Sequence, residues 1–77
     1  MSGRLPSVKP KDVLRAFERA GFFVHHSSGS HHILKHAENP RLRLVIPLHN
    51  IDMKRGLLHA LIKDAGITVE QFLNLLS

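Results

Sequence analysis

Residues 22–36 read Phe-Phe-Val-His-His-Ser-Ser-Gly-Ser-His-His-Ile-Leu-Lys-His, and the fold turns on this stretch. Phe22 to Ser27 is rich in aromatic and β-branched residues and predicts a strand. Ser28-Gly29 is turn chemistry. His31 to His36 predicts a second strand, so the segment is a β-hairpin. A two-residue loop at Ser28-Gly29 would set His26 opposite His31 and His25 opposite His32, because the loop length fixes the register.

The flanks extend this reading in both directions. Upstream, Met1 to Val8 is a polar leader, and Pro10 suits the first position of a helix, where no amide donor is needed. Val13, Leu14, Phe17 and Ala20 then recur at helical spacing, with Lys11, Arg15, Glu18 and Arg19 on the other side. Gly21 is a C-terminal stop. Downstream, Ala37 to Pro40 is a second turn. Arg41 to Pro47 alternates, with Leu42, Leu44 and Ile46 to one face and Arg41, Arg43 and Val45 to the other, as in a half-buried third strand.

Leu48 to Asp52 reads as a loop, with Asp52 as N-cap of a helix from Met53 to Ala65. Leu57, Leu58, Leu61 and Ile62 form its apolar face. Past Gly66, Thr68 and Gln71 have capping-box spacing for a short last helix that buries Phe72, Leu75 and Leu76. Helix, three antiparallel strands, helix and short helix, with the helices on one face, make an α+β sandwich.

The composition bounds the function. A chain of 77 residues buries only about 60% of its unfolded surface, enough for one compact core, so residues 1–77 are read as a single domain without a large enclosed cofactor cleft. The ten N-terminal residues hold no apolar stretch and do not read as a signal peptide. No apolar run reaches the ~18 residues of a membrane helix. Cysteine is absent, which excludes disulfides and thiolate metal sites and fits a reducing cytoplasm. A formal net charge of +5 on so small a body favours a polyanionic partner.

Histidine is the unusual feature. Five of the seven fall between positions 25 and 36: His25, His26, His31, His32 and His36. They read in three ways. They are solvated strand residues, or metal ligands, or acid–base groups. Adjacent strand residues point to opposite faces, so His31 and His32 cannot share a simple metal site, and three or four converging ligands are needed for one. Acid–base chemistry requires only imidazole near neutral pH beside cations that hold a phosphate. A histidine that deprotonates a ribose 2′-hydroxyl lets that hydroxyl attack its own phosphate, with no metal or cofactor.

The order of motifs resembles the HicA family of bacterial toxins, the mRNA interferases of type II toxin–antitoxin pairs. The resemblance runs from Leu5-Pro6 to the C-terminal helix. It rests on Ala20-Gly21-Phe22, Gly29-Ser30-His31, Pro47-Leu48-His49, Lys54-Arg55-Gly56-Leu57-Leu58, and Ala65-Gly66-Ile67-Thr68 with Glu70-Gln71-Phe72. The chain carries Leu57 where the family usually has threonine, and His59 where a basic residue often follows.

The resemblance implies a double-stranded-RNA-binding-domain-like fold, ribonuclease activity on mRNA, and a HicB-type antitoxin as partner. It also implies that His31 is the catalytic residue. Around it, Gly29 permits positive φ or a close backbone approach, Ser30 can donate to a phosphate oxygen or orient the imidazole, and His49 is a candidate second proton-transfer group. Lys35, Arg41, Arg43, Lys54 and Arg55 are candidate phosphate contacts, helped by the oriented amides at the start of the second helix. The alternative is a non-catalytic RNA-binding module of the same fold, reading phosphates and 2′-hydroxyls by shape.

Overall fold

The computed structural model describes residues 5–48 and 51–76. Its elements run α1 (Pro10–Arg19), β1 (Phe22–Ser28), β2 (His31–His36), β3 (Arg43–Pro47), α2 (Arg55–Asp64) and α3 (Val69–Leu76). The strands form one antiparallel sheet in the order β1-β2-β3. One layer of helices covers one face of it, so the architecture is the expected α+β one.

The core lies between sheet and helices. Phe22, Leu34, Leu44 and Ile46 of the sheet are buried with Val13, Ala16 and Phe17 of α1, Leu58, Leu61 and Ile62 of α2, and Phe72 of α3. Phe17 sits at its centre, with ring centroids 5.7 Å from Phe22 and 5.4 Å from Phe72. Phe72 therefore anchors α3 to α1. The start of α3 is the reciprocal cap expected at Thr68: the Thr68 amide donates to Gln71 Oε1 at 2.8 Å, and the Gln71 amide donates to Thr68 Oγ1 at 3.1 Å.

The leader is not simply polar. Leu5 is buried in the core, and the Met53 amide donates to the Val8 carbonyl at 2.8 Å. Ser7 Oγ donates to Asp52 Oδ2 at 2.8 Å, and Lys9 Nζ lies 3.3 Å from Asp52 Oδ1. The Ser7 hydrogen bond first, then Lys9, hold the Asp52 carboxyl below the usual carboxylate range. This corrects the expected N-cap. Asp52 is committed to the leader, and α2 begins at Arg55 after an N-cap residue, Lys54, that makes no side-chain cap. Met53 is buried ahead of the helix, and Leu57, in its first turn, falls outside the core at 37% exposure.

Two further boundaries differ. β3 begins at Arg43, not Arg41, because the Arg41 amide donates to Asn39 Oδ1 at 3.2 Å and the Leu42 amide to the Asn39 carbonyl at 3.1 Å. Arg41 thus belongs to an asparagine turn and not to the strand's open face. The hairpin loop is Gly29-Ser30, one residue later than expected, and Ser28 pairs with His31. Gly29 has φ +58° while Ser30, like every described non-glycine residue, does not have positive φ, the sign pattern of a type II′ hairpin turn. Gly29 is required for that angle and not for space, since a Cβ there would meet nothing within 4 Å.

Candidate acid–base site on the open sheet face

The face of the sheet away from the helices carries His26, His31, Lys35 and Arg43. Strand register assigns each side chain, because cross-strand partners share a face. Leu34 and Leu44 are core partners, and Val24 completes their row. The rows between core rows therefore point outward. They are Phe23–Lys35–Arg43, His26–Ile33–Val45 and Ser28–His31–Pro47.

His31 is exposed yet firmly based. It opens the central strand, with Ser28 on one side and Pro47 on the other. Immediately before it, the Ser30 carbonyl accepts from the Leu48 amide at 2.6 Å. Both flanking strands thus fix the backbone under the imidazole, while the ring faces solvent. His32 points the other way, opposite Ile46 on the helix side. Its Nδ1 is buried with no hydrogen-bond partner.

His36 has a different job from the rest of the cluster. Its Nε2 donates to the Ala20 carbonyl at 2.9 Å, and its Nδ1 accepts from the amides of Glu38 and Asn39 at 3.1 and 3.2 Å. The two amides at Nδ1 assign the proton to Nε2. Its ring packs edge-on against Phe22 at 4.9 Å. This histidine clamps the end of α1 to the end of the hairpin.

The cations fall into separate groups. Lys35 and Arg43 face each other across β2 and β3 on the open face, four residues from His31, or about 13 Å along the strand. Lys54 and Arg55 are exposed at the start of α2. That start has no acidic residue in its first turn and no side-chain cap, so its oriented amides carry uncompensated positive potential. Pro47 joins this end to His31. It is the cross-strand partner of His31, and with Lys54, Leu57, Ile51 and Met53 it lines an apolar cavity of about 150 Å³. Arg41 is exposed in the asparagine turn ahead of β3. His49 lies outside the described residues.

The expected register sets His26 directly opposite His31; in the structure Ser28 takes that place, and His26 lies one open-face row further along. Alternation from Phe22 and Val24 would send it to the core side. A β-bulge between Val24 and His26 inserts His25 as an extra residue, and the parity switches. His26 then pairs with Ile33 on the open face. Nothing in the sequence marks the bulge beyond the pair of adjacent histidines. Among the described residues, no three or more His, Asp or Glu side chains gather where they could hold one metal ion.

A family model described as HicA toxin of bacterial toxin-antitoxin matches residues 10–67 of the 77. The matched span holds α1, the hairpin, β3 and α2, and leaves α3 outside. The comparison with curated proteins gives no match.

Proposed function

The chain belongs to the HicA family of toxins from bacterial toxin–antitoxin pairs, and from that premise we propose that it is a metal-independent endoribonuclease acting on mRNA, with His31 as the general acid/base. Membership brings an antitoxin partner with it. The carrying observation is the placement of His31: an exposed imidazole at the start of the central strand, on backbone held from both sides. Preorganisation of this kind is what a proton-transfer group requires.

Neutral His31 takes the proton of the ribose 2′-hydroxyl. The O2′–P bond forms as the P–O5′ bond breaks, and the departing oxygen gains a proton. The products are a 2′,3′-cyclic phosphate and a 5′-hydroxyl. Lys54, which lines the same cavity as Pro47, and Arg55, with the amides at the start of α2, offset charge building on the phosphate. Lys35 and Arg43 extend the positive surface along the strand, and Arg41 lies further out. Gly29 supplies the turn, and Ser30 presents the imidazole. His49 stays a candidate for a supporting role through its Pro47-Leu48-His49 motif.

The partner we propose is a HicB-type antitoxin whose acidic segment covers His31 and competes with RNA for the same cations, so that salt weakens its binding. The decisive test is cleavage of RNA by wild type and His31→Ala, with and without EDTA, and with DNA of the same sequence. His31→Ala is expected to lose at least ~10²-fold with its circular dichroism spectrum unchanged. EDTA is expected to have no effect, and DNA to resist because it lacks the 2′-hydroxyl. Full activity in purified His31→Ala would refute the assignment. RNA binding without cleavage by the wild type would leave the binding-module reading in its place.

A further inference from the structure

We infer that His26 is the second proton-transfer group, the general acid that protonates the departing 5′-oxygen while His31 deprotonates the 2′-hydroxyl; this rests on the ribonuclease reading above. The tight turn pairs Ser28 with His31 and, two ladder pairs along, His26 with Ile33, so His26 and His31 share the open face, while the bulge at His25 keeps Phe22 and Val24 on the core face.

Register gives the geometry. His26 is opposite Ile33, and His31 is two residues from Ile33 on the same strand and the same face. The two histidines are therefore diagonal neighbours, at positions about 7–8 Å apart. Both are exposed. In-line displacement at phosphorus places the attacking O2′ and the leaving O5′ on opposite sides of the phosphorus. A base and an acid serving those atoms must flank the phosphate, so they cannot touch each other. A diagonal pair on an open sheet leaves that gap. A directly opposed pair would not.

The other described histidines do not fit the role. His32 faces the helices. Both ring nitrogens of His36 are used by backbone groups. His25 lies in the bulge with its ring against Phe23, centroids 6.5 Å apart, further down β1 from His31. His59 is on α2, off the sheet. Bulges recur beside active sites because one extra residue re-aims a side chain, and here it keeps Phe22 and Val24 on the core face.

The step balances. The 2′-hydroxyl proton goes to neutral His31, the O2′–P bond forms, the P–O5′ bond breaks, and the His26 imidazolium gives its proton to O5′. One histidine must be neutral and the other protonated, so kcat/KM follows a bell in pH. The titratable and charged groups sharing the face are His31 and Lys35 on β2 and Arg43 on β3, with His25 of the bulge beside Phe23 on β1.

The test uses the full chain and a short RNA carrying sulfur in place of the bridging O5′ at its mapped cleavage site. A thiolate leaves without protonation, so loss of a general acid is rescued by that substrate. His26→Ala and His26→Gln are expected to fall at least ~10²-fold on ordinary RNA, to lose the alkaline limb of the pH profile, and to regain nearly wild-type rate on the sulfur substrate. His31→Ala stays impaired on both, and His25→Ala cleaves both like wild type. The inference is overturned if His26→Ala cleaves ordinary RNA within a few-fold of wild type, if sulfur does not rescue it, or if sulfur rescues His25→Ala or His49→Ala instead. In those cases His31→Ala can still be dead and the ribonuclease reading stands. If the wild type cleaves no RNA, both fall.

Discussion

Replacing Gly21 by alanine tests the clamp that holds α1 to the hairpin. Gly21 follows Ala20, the C-cap of α1, with φ +103°, a conformation side chains rarely adopt. A Cβ there would stand 2.7 Å from His36 Nε2, the atom that donates to the Ala20 carbonyl. The ring cannot swing aside cheaply, because Nδ1 holds two amides and Phe22 closes the other flank. Forcing alanine into positive φ costs about 1–2 kcal/mol. Losing the Nε2 hydrogen bond adds roughly 0.5–1.5 kcal/mol. Alanine's smaller unfolded-state entropy returns about 0.4–1 kcal/mol. The net is a loss of roughly 1–3 kcal/mol out of the ~4–12 expected for a domain of this length.

Thermal melts followed by circular dichroism should show Tm lower by roughly 5–20 °C. Urea titration should move the midpoint at constant slope. A double-mutant cycle separates the two causes. In a His36→Ala background the clash is gone and only the backbone strain remains, so Gly21→Ala should cost measurably less than in wild type. Gly21→Ala within 0.5 kcal/mol of wild type, or a cost unchanged in the His36→Ala background, would refute the reasoning.

Three other outcomes are expected. Phe72→Ala should destabilise by about 3–5 kcal/mol, measured by urea unfolding, because the ring is fully buried against Phe17; a loss under 1 kcal/mol would mean that α3 is not part of the core. Asp52 has its folded pKa depressed by Ser7 and Lys9, so its contribution is present above the unfolded value near 3.9 and disappears as pH falls through the folded value; Asp52→Asn should lose it at neutral pH, seen as faster hydrogen exchange at the Met53 amide, and unchanged exchange would contradict the leader docking. Lys54→Ala with Arg55→Ala should weaken RNA binding across sequences and flatten its salt dependence by more than Lys35→Ala with Arg43→Ala; equal effects would place the phosphate track elsewhere.

Local patterns in the chain carry most of the fold, and they do so where periodicity and punctuation agree. Pro10 and Gly21 bracket α1, the Thr68–Gln71 pair caps α3, and β-rich runs surround a glycine turn. Each is decided by residues within one turn or one hairpin. The expectations that moved are those settled by distant partners. Asp52 has the chemistry of an N-cap, yet Ser7 and Lys9, more than forty residues away, claim its carboxylate. Leu57 has the spacing of a core residue, yet it lies in the first turn of α2, where it lines the cavity beside Pro47 and Met53 and stays partly exposed.

The candidate site divides along the same line. Its residue types and the Gly29-Ser30-His31 order are properties of the sequence, as is the opposite facing of His31 and His32, which follows from the period of a strand. Which of five clustered histidines acts as a clamp, and which share a face, depends on pairing across strands. His36 is a structural residue because the chain brings Ala20 to its Nε2 and Glu38 and Asn39 to its Nδ1. His26 shares a face with His31 because the turn pairs Ser28 with His31 and His26 with Ile33, and Phe22 and Val24 still reach the core because β1 has one residue more than β2 beyond His26. A bulge leaves every local propensity intact and changes only parity, and parity is a relation between two strands that neither strand contains by itself.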